Sequence, residues 1–154
     1  MKRKMTSEQA VDNFLKCNSL AVAGVSRDKR KFGYIVYNHL KINNYKVFPI
    51  IPKMKEIDSD KCYPNLAELK EKIDGVILVV PPLQSEKIVR EANKLGIKAV
   101  WFQQGSSSDE AVKFCEENDI SFLKDECILM FAEPVKSVHK FHRWLWKILG
   151  KLTK

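Results

Sequence analysis

The stretch AVAGVSRDKRKFGY, residues 21–34, joins an apolar run to a glycine turn and then to a cluster of cations. An apolar run over Leu20–Ala23 that ends at Gly24 is typical of a buried strand followed by a tight turn. From Gly33 to Ile42 the apolar residues recur at the spacing of a helix with a broad buried face. The stretch therefore predicts strand, turn and helix in direct succession, which is the repeating unit of α/β folds.

The same alternation of short apolar runs and amphipathic segments continues along the chain. Four further runs predict strands at 46–51 (KVFPII), 75–80 (GVILVV), 97–102 (IKAVWF) and 120–123 (ISFL). Helices are predicted at 6–16, 65–72, 85–95 with Gly96 at its end, and from 108 or 109 to 118, whereas polar residues 53–64 predict a loop. Because the strands are almost continuously apolar, we expect a Rossmann-like, doubly wound, mostly parallel five-stranded sheet with helices on both faces.

Composition and charge narrow the class of protein. The chain has 154 residues, of which 45% are hydrophobic, and a net charge of +8, which suits a single compact domain with anionic partners. No apolar segment follows the basic N-terminus and no stretch approaches the about 20 apolar residues of a membrane span, so neither a secretory signal nor membrane insertion is predicted. Four scattered cysteines predict reduced thiols, no metal site and a cytoplasmic location.

The loop after the first strand is the first candidate site, because ligands of doubly wound folds bind at the carboxyl ends of the strands. A glycine there permits close backbone approach, the following helix start offers N–H groups to an anion, and a serine adds a hydroxyl. With only two glycines, the stretch lacks the three-glycine dinucleotide fingerprint. The cations expected to neutralise phosphates are Arg27, Lys29, Arg30 and Lys31. The candidate ligand-binding residues of this loop are Gly24, Val25, Ser26, Arg27, Lys31, Phe32 and Gly33.

The end of the second strand bears on the choice of cofactor. An NAD-binding fold usually places an acid there to accept hydrogen bonds from the adenosine ribose, whereas this chain continues with Pro52, Lys53 and Lys55. Lysine side chains attract a phosphorylated ribose, as found in NADP or coenzyme A. The sequence therefore favours these two cofactors over NAD.

Three more loops at the same edge of the sheet supply candidates. Val80 and Pro81 follow the third strand, where a rigid proline turn could form an apolar wall. Gln103 and Gly105 follow the fourth strand and offer an amide and a flexible backbone. Cys127 follows the fifth strand, so its thiol is expected near the cleft, either able to form a mixed disulfide with a ligand thiol or inert and buried.

A set of short motifs follows in order over about residues 18 to 130. They are Gly24-x-Ser26, Gly33, Pro52, Tyr63-Pro64-x-Leu66, Asp74, Gly96-x-Lys98-x-x-Trp101-x-Gln103-x-Gly105 and Asp125-x-Cys127. Their order and spacing resemble the CoA-binding protein family, the single-domain relatives of the CoA-binding Rossmann module in succinyl-CoA synthetase α subunits. The family often has an asparagine just before the proline after the second strand, where this chain has Ile51.

The resemblance implies a Rossmann-like domain that binds coenzyme A or an acyl-CoA as a small nucleotide ligand without catalysing a reaction itself. It implies roles in holding the pyrophosphate for Gly24, Val25 and Ser26, in bordering the adenosine for Pro52 and Lys53, and in lining and closing the cleft for Pro81, Gln103 and Gly105. An NADP-dependent oxidoreductase is the alternative, since NADP also carries an adenosine with an additional ribose phosphate.

Residues 134–154 (PVKSVHKFHRWLWKILGKLTK) predict a basic amphipathic helix. We expect residues 1–133 to form the Rossmann-like domain and residues 134–154 to be a helical extension of it. Packing on the sheet or across a homodimer is favoured for this helix. A third function class is an adaptor that binds a membrane surface or nucleic acid through its basic face.

Overall fold

The computed structural model describes residues 7–69 and 73–131, which form a parallel sheet flanked by helices. The strands of this sheet are β1 (Ser19–Ala23), β2 (Lys46–Ile50), β5 (Gly75–Leu78), β6 (Ala99–Phe102) and β7 (Ser121–Leu123). The helices are α1 (Ser7–Leu15), α2 (Phe32–Ile42), α3 (Pro82–Lys94) and α4 (Asp109–Glu117). The strand order is β2-β1-β5-β6-β7 and every neighbouring pair is parallel. The predicted fold class is confirmed, while the predicted C-terminal helix lies outside the described residues.

The sheet separates two hydrophobic cores. Along β1, Leu20 and Val22 face one core, whereas Ala21 and Ala23 face the other. Helices α1 and α2 contribute to the first core, and α3 and α4 contribute to the second. Because successive side chains of a strand point to opposite faces, a strand covered on both sides must be apolar throughout. This explains why the strands read as unbroken apolar runs.

Two predictions of secondary structure were wrong. Residues 53–64, predicted as a loop, contain an antiparallel hairpin of β3 (Glu56–Ile57) and β4 (Asp60–Lys61). Strands of two residues have no detectable period, so only their packing against the rest of the fold reveals them. Helix α3 begins at Pro82 rather than at Ser85, because proline has no N–H to lose in a first helical turn and its fixed φ suits that position.

The local signals at other helix ends were confirmed. The Ser108 hydroxyl accepts a hydrogen bond from the Ala111 N–H at 3.0 Å and caps α4. Gly96, after α3, has a φ of +76°, as expected of a helix-ending glycine. Asn65 caps the turn after it as predicted, but that element is a single 3₁₀ turn, Leu66–Glu68, which ends at an extended Leu69 instead of continuing as a helix. In the ranges 7–69 and 73–131, no helix has the length and apolar character needed to cross a membrane.

Candidate functional site

The strand order creates a crevice between β1 and β5 at their carboxyl ends. The chain leaves β1 for α2 on one face of the sheet and leaves β5 for α3 on the other face. In doubly wound folds this divergence of neighbouring connections is where ligands bind. The loop 24–31 borders the crevice on one side, and the loop at Val80 and Pro81 borders it on the other.

Two glycines bring three chain segments into direct backbone contact at this crevice. Gly24 has a φ of +93°, and a Cβ there would lie 1.9 Å from the Val79 carbonyl oxygen and 2.9 Å from Cγ1 of Val80. A Cβ on Gly33 would lie 1.9 Å from the Gly24 carbonyl oxygen. No side chain fits at either position. The ends of β1 and β5 and the first turn of α2 are therefore as close as backbones can pack.

The N-terminus of α2 has no side-chain cap. Lys31 occupies the N-cap position in an extended conformation, and its side chain makes no hydrogen bond to the first turn. The first intrahelical bond runs from the Ile35 N–H to the Lys31 carbonyl at 3.2 Å. The N–H groups of the first turn therefore meet no capping side chain, and they carry the positive end of the helix dipole. Such a terminus attracts anions.

Two of the four cations in loop 24–31 already have carboxylate partners. Asp28 binds Arg30 with Nε 3.1 Å from Oδ1, and Asp58 binds Lys29 with Nζ 3.1 Å from Oδ1. Hydrogen bonds from Arg30 lower the pKa of Asp28. Over the residues that the structure describes, Arg27 and Lys31 are exposed and make no ion pair within 4 Å.

Ser26 holds the turn together through its hydroxyl oxygen. That oxygen accepts a hydrogen bond from the Asp28 N–H at 3.1 Å, and the Asp28 carboxylate in turn accepts one from the Arg30 N–H at 3.0 Å. The Ser26 hydroxyl is half-buried and its hydrogen remains able to donate. The loop is therefore braced from within before any ligand arrives.

The loop after β2 places Pro52, Lys53 and Lys55 at the solvent-exposed surface beside the β1 loop. Among the residues that the structure describes, neither lysine has an ion-pair partner within 4 Å. Of the acids that follow in the sequence, Glu56 adjoins Lys55 and begins β3, whereas Asp58 and Asp60 bind side chains of α2 and its preceding loop.

These hairpin acids were missed by sequence reasoning. The Tyr34 hydroxyl donates to Asp58 at 2.6 Å, and the Tyr37 hydroxyl donates to Asp60, which also pairs with Lys41. Hydrogen bonds from Tyr34 and then Lys29 lower the pKa of Asp58. The sequence did carry a signal for these contacts. Two acids stand at alternate positions of a short polar segment, and two tyrosines stand one turn apart on the predicted helix.

The candidates after β5 and β6 occupy different environments. Pro81 is exposed at the N-cap of α3, and Val80 is half-buried against Gly24. Gln103 is buried, and its Oε1 accepts a hydrogen bond from the Ile128 N–H at 3.1 Å. Gly105 is exposed with a φ of +81° and open space around it. Gln103 thus joins the end of β6 to the loop after β7, a structural contact that its sequence position did not indicate.

Cys127 is buried beside Gln103. Burial raises the pKa of the Cys127 thiol, although hydrogen bonds from the Leu129 backbone and from Gln103 oppose that shift. The thiolate is the reactive form of cysteine, so a raised pKa slows both alkylation and disulfide exchange. The environment of Cys127 therefore favours an inert, buried thiol over a thiol that forms a mixed disulfide with a ligand.

We expect Cys127 in the folded protein to react with iodoacetamide near pH 8 more slowly than after unfolding, because burial raises the pKa of its thiol and so lowers the fraction present as thiolate. Peptide mapping by mass spectrometry would measure the rate at each cysteine. Equal rates before and after unfolding would contradict the buried, protonated state.

Comparison with known proteins identifies relatives of the matched region. A family model described as a CoA binding domain matches residues 18–133. The acetate–CoA ligase (ADP-forming) of Methanocaldococcus jannaschii is 38% identical over 80 residues, which are 52% of this chain and 11% of the ligase. The chain spans between 11% and 20% of the length of the first curated relatives that it matches.

Solved structures match the chain over a larger share of their length. A hypothetical protein from Pyrococcus horikoshii has a TM-score of 0.77 and 28% identity, covering 88% of this chain and 99% of that one. A conserved hypothetical protein from Pyrococcus furiosus has a TM-score of 0.69 and 32% identity, covering 72% and 96%. The fold thus recurs in chains of about this size as well as within long ligases.

Proposed function

The chain belongs to the CoA-binding domain family, and from that premise we propose that it binds coenzyme A or an acyl-CoA at the crevice between β1 and β5. The observation that carries the proposal is the glycine contact at this crevice. Gly24 and Gly33 bring an uncapped helix start against the ends of two central strands. Because the missing Cβ atoms of both glycines would point into neighbouring chain atoms, the glycines bring the uncapped N–H groups of α2 to the crevice, where a diphosphate could accept hydrogen bonds from them.

The proposed ligand orientation follows from the distribution of charge. The pyrophosphate would lie on Gly24, Val25 and Ser26 and on the first turn of α2, near Arg27 and Lys31, which form no ion pair with another described residue. The 3′-phosphate of the adenosine would lie near Lys53, with Lys55 nearby. Both lysines are exposed and neither has an ion-pair partner in the described part of the chain, so their charge is available to a ligand.

The remaining candidates would contact the pantetheine side of the ligand. Val80 and Pro81 supply apolar surface at the start of α3, and Gly105 leaves open space at the end of β6. Gln103 and Cys127 are both buried, so they would support the cleft from below, and Gln103 does so by its hydrogen bond to the Ile128 N–H.

We propose a binding role without catalysis by this chain alone. The chain spans 11% of the Methanocaldococcus ligase, so the activity of the whole ligase does not transfer to it directly. Of the three histidines in the sequence, His39 lies within the residues that the structure describes, and its side chain is buried in α2. The family match favours coenzyme A over the NADP considered from the sequence. The division into residues 1–133 and an extension at 134–154, the cytoplasmic location and a homodimer contact through that extension stay predictions.

Calorimetry with CoA, dephospho-CoA, NADPH and NADH would test the proposal. We expect CoA to bind best and dephospho-CoA to bind about tenfold more weakly, which corresponds to about 1.4 kcal/mol for the lost phosphate contacts. Raising the salt concentration should reduce this difference, because the lysines involved are exposed. No affinity for CoA, together with hydride transfer from NADPH, would refute the proposal. Equal affinity for dephospho-CoA would remove the role of the lysines.

A further inference from the structure

The tip of the β3–β4 hairpin joins three parts of the proposed site. Asp58 accepts a hydrogen bond from the Tyr34 hydroxyl at 2.6 Å and forms an ion pair with Lys29 at 3.1 Å. Lys29 belongs to the loop between β1 and α2, and Tyr34 belongs to the first turns of α2. The hairpin itself continues directly from the loop that carries Lys53 and Lys55. One carboxylate therefore connects both loops that the ligand would contact.

The tip of the hairpin is a two-residue turn formed by Asp58 and Ser59. Asp58 has a φ of +46° and Ser59 has a φ of +68°. Two positive φ angles are what a tight two-residue hairpin turn requires, and aspartate tolerates that conformation better than most residues. The turn therefore fixes where the Asp58 carboxylate lies, and the contacts to Tyr34 and Lys29 tie that position to α2 and to loop 24–31.

We propose that Asp58 is a positioning residue for coenzyme A, which acts through Lys29 and Tyr34 to hold the phosphate loop 24–31 and the lysine loop 51–55 in their binding arrangement. The inference rests on the proposed function. It assigns Lys29 to the protein's own architecture and leaves Arg27, Lys31, Lys53 and Lys55 to the phosphates.

This inference predicts a change in CoA affinity that is opposite in sign to the change expected from charge repulsion alone. Coenzyme A is a polyanion, so an acid near its site repels it, and replacing that acid with a neutral residue would strengthen binding. Loss of a positioning contact would weaken binding instead, because the loops would pay an ordering cost when the ligand binds. The direction of the change in affinity therefore separates the two roles of Asp58.

The hairpin offers a matched control in Asp60. It binds Tyr37 and Lys41, so it has the same kinds of partner as Asp58 and carries the same charge. Its partners lie farther along α2, and neither belongs to loop 24–31. Asp60→Asn therefore removes one carboxylate charge and the ion pair with Lys41, and leaves an amide oxygen that can accept from Tyr37, without altering any partner in loop 24–31.

Calorimetry of CoA binding by wild type, Asp58→Asn and Asp60→Asn would test the inference at low and high salt. We expect Asp58→Asn to weaken binding about tenfold, on the scale of one or two charge-assisted contacts, and Asp60→Asn to change it by less than about threefold. The loss in Asp58→Asn should be largest at low salt, because the exposed Lys29–Asp58 ion pair is itself screened by added salt, whereas charge repulsion alone predicts tighter binding by Asp58→Asn at low salt. Unfolding midpoints would be measured for both variants to compare them well below their transitions.

Each outcome decides between the two hypotheses. Absence of CoA binding by the wild type would refute the proposed function and this inference together. If the wild type binds, unchanged or tighter binding by Asp58→Asn would overturn the positioning role and leave the proposed function standing. Equal losses in both variants would also overturn it, because they would indicate a general effect of the hairpin. If Asp58→Asn does not fold, Tyr34→Phe removes one contact without changing charge, and unaltered affinity in that variant would overturn the inference.

Discussion

Gly33→Ala is expected to destabilise the fold by about 3 kcal/mol, although the same change in an isolated helix would be stabilising by about 1 kcal/mol. Gly33 lies in α2, where alanine is the better helix former. Its added Cβ would lie 1.9 Å from the carbonyl oxygen of Gly24 and 2.8 Å from the carbonyl carbon. Because both atoms belong to the backbone, relief requires α2 to move away from β1. Urea denaturation would measure the loss, and CoA titration should show weakened binding.

Gly96→Ala is the matched control for this prediction. Gly96 has a φ of +76°, but no atom lies within 4 Å of its added Cβ. We expect a cost of about 1 kcal/mol from the backbone conformation and no change in CoA affinity. A Gly33→Ala protein as stable as the wild type would show that the contact between α2 and the β1 loop is looser than the structure indicates.

Trp101→Ala is expected to destabilise the fold by about 4 kcal/mol. The Trp101 side chain is fully buried in β6, with its ring centroid 5.3 Å from that of Phe14 and 5.7 Å from that of Phe131. Its indole N–H also donates to the Glu126 carbonyl at 3.0 Å. Truncation would leave a large cavity between α1, the sheet and the chain after β7, and it would remove a buried hydrogen bond. Denaturant unfolding monitored by circular dichroism would measure the effect.

Trp101→Phe separates the two contributions. It retains an aromatic ring in the cluster but lacks the indole N–H, so we expect an intermediate loss of about 2 kcal/mol, part of it from the unpaired Glu126 carbonyl. Hydrogen exchange should then increase at residues 124–128 more than along α1. Identical stability of Trp101→Phe and wild type would show that the hydrogen bond to Glu126 adds nothing to the fold.

The fold was predictable because each strand carries its own signal. Apolar runs such as 75–80 need no partner to be recognised, since a strand buried on both faces must be apolar at every position. Gly24 was likewise recognisable as a position of close backbone approach. The placement of Gln103 was not, because its sequence position gives the strand it follows and not the direction of its side chain. Its hydrogen bond to the Ile128 N–H joins residues 25 positions apart.

By itself, the sequence determined the order of the main strands and helices and the parallel sheet, and it predicted the edge at which a ligand would bind, because these depend on periodicity and on short-range turn chemistry. Only the tertiary structure decided which charges remain available there. Arg27, Lys29, Arg30 and Lys31 are equivalent cations in the printed sequence, yet Asp28 and Asp58 bind two of them. Ion pairing depends on distances between side chains, and Asp58, which lies 29 positions after Lys29 in the sequence, comes within 3.1 Å of it only because the hairpin contacts α2.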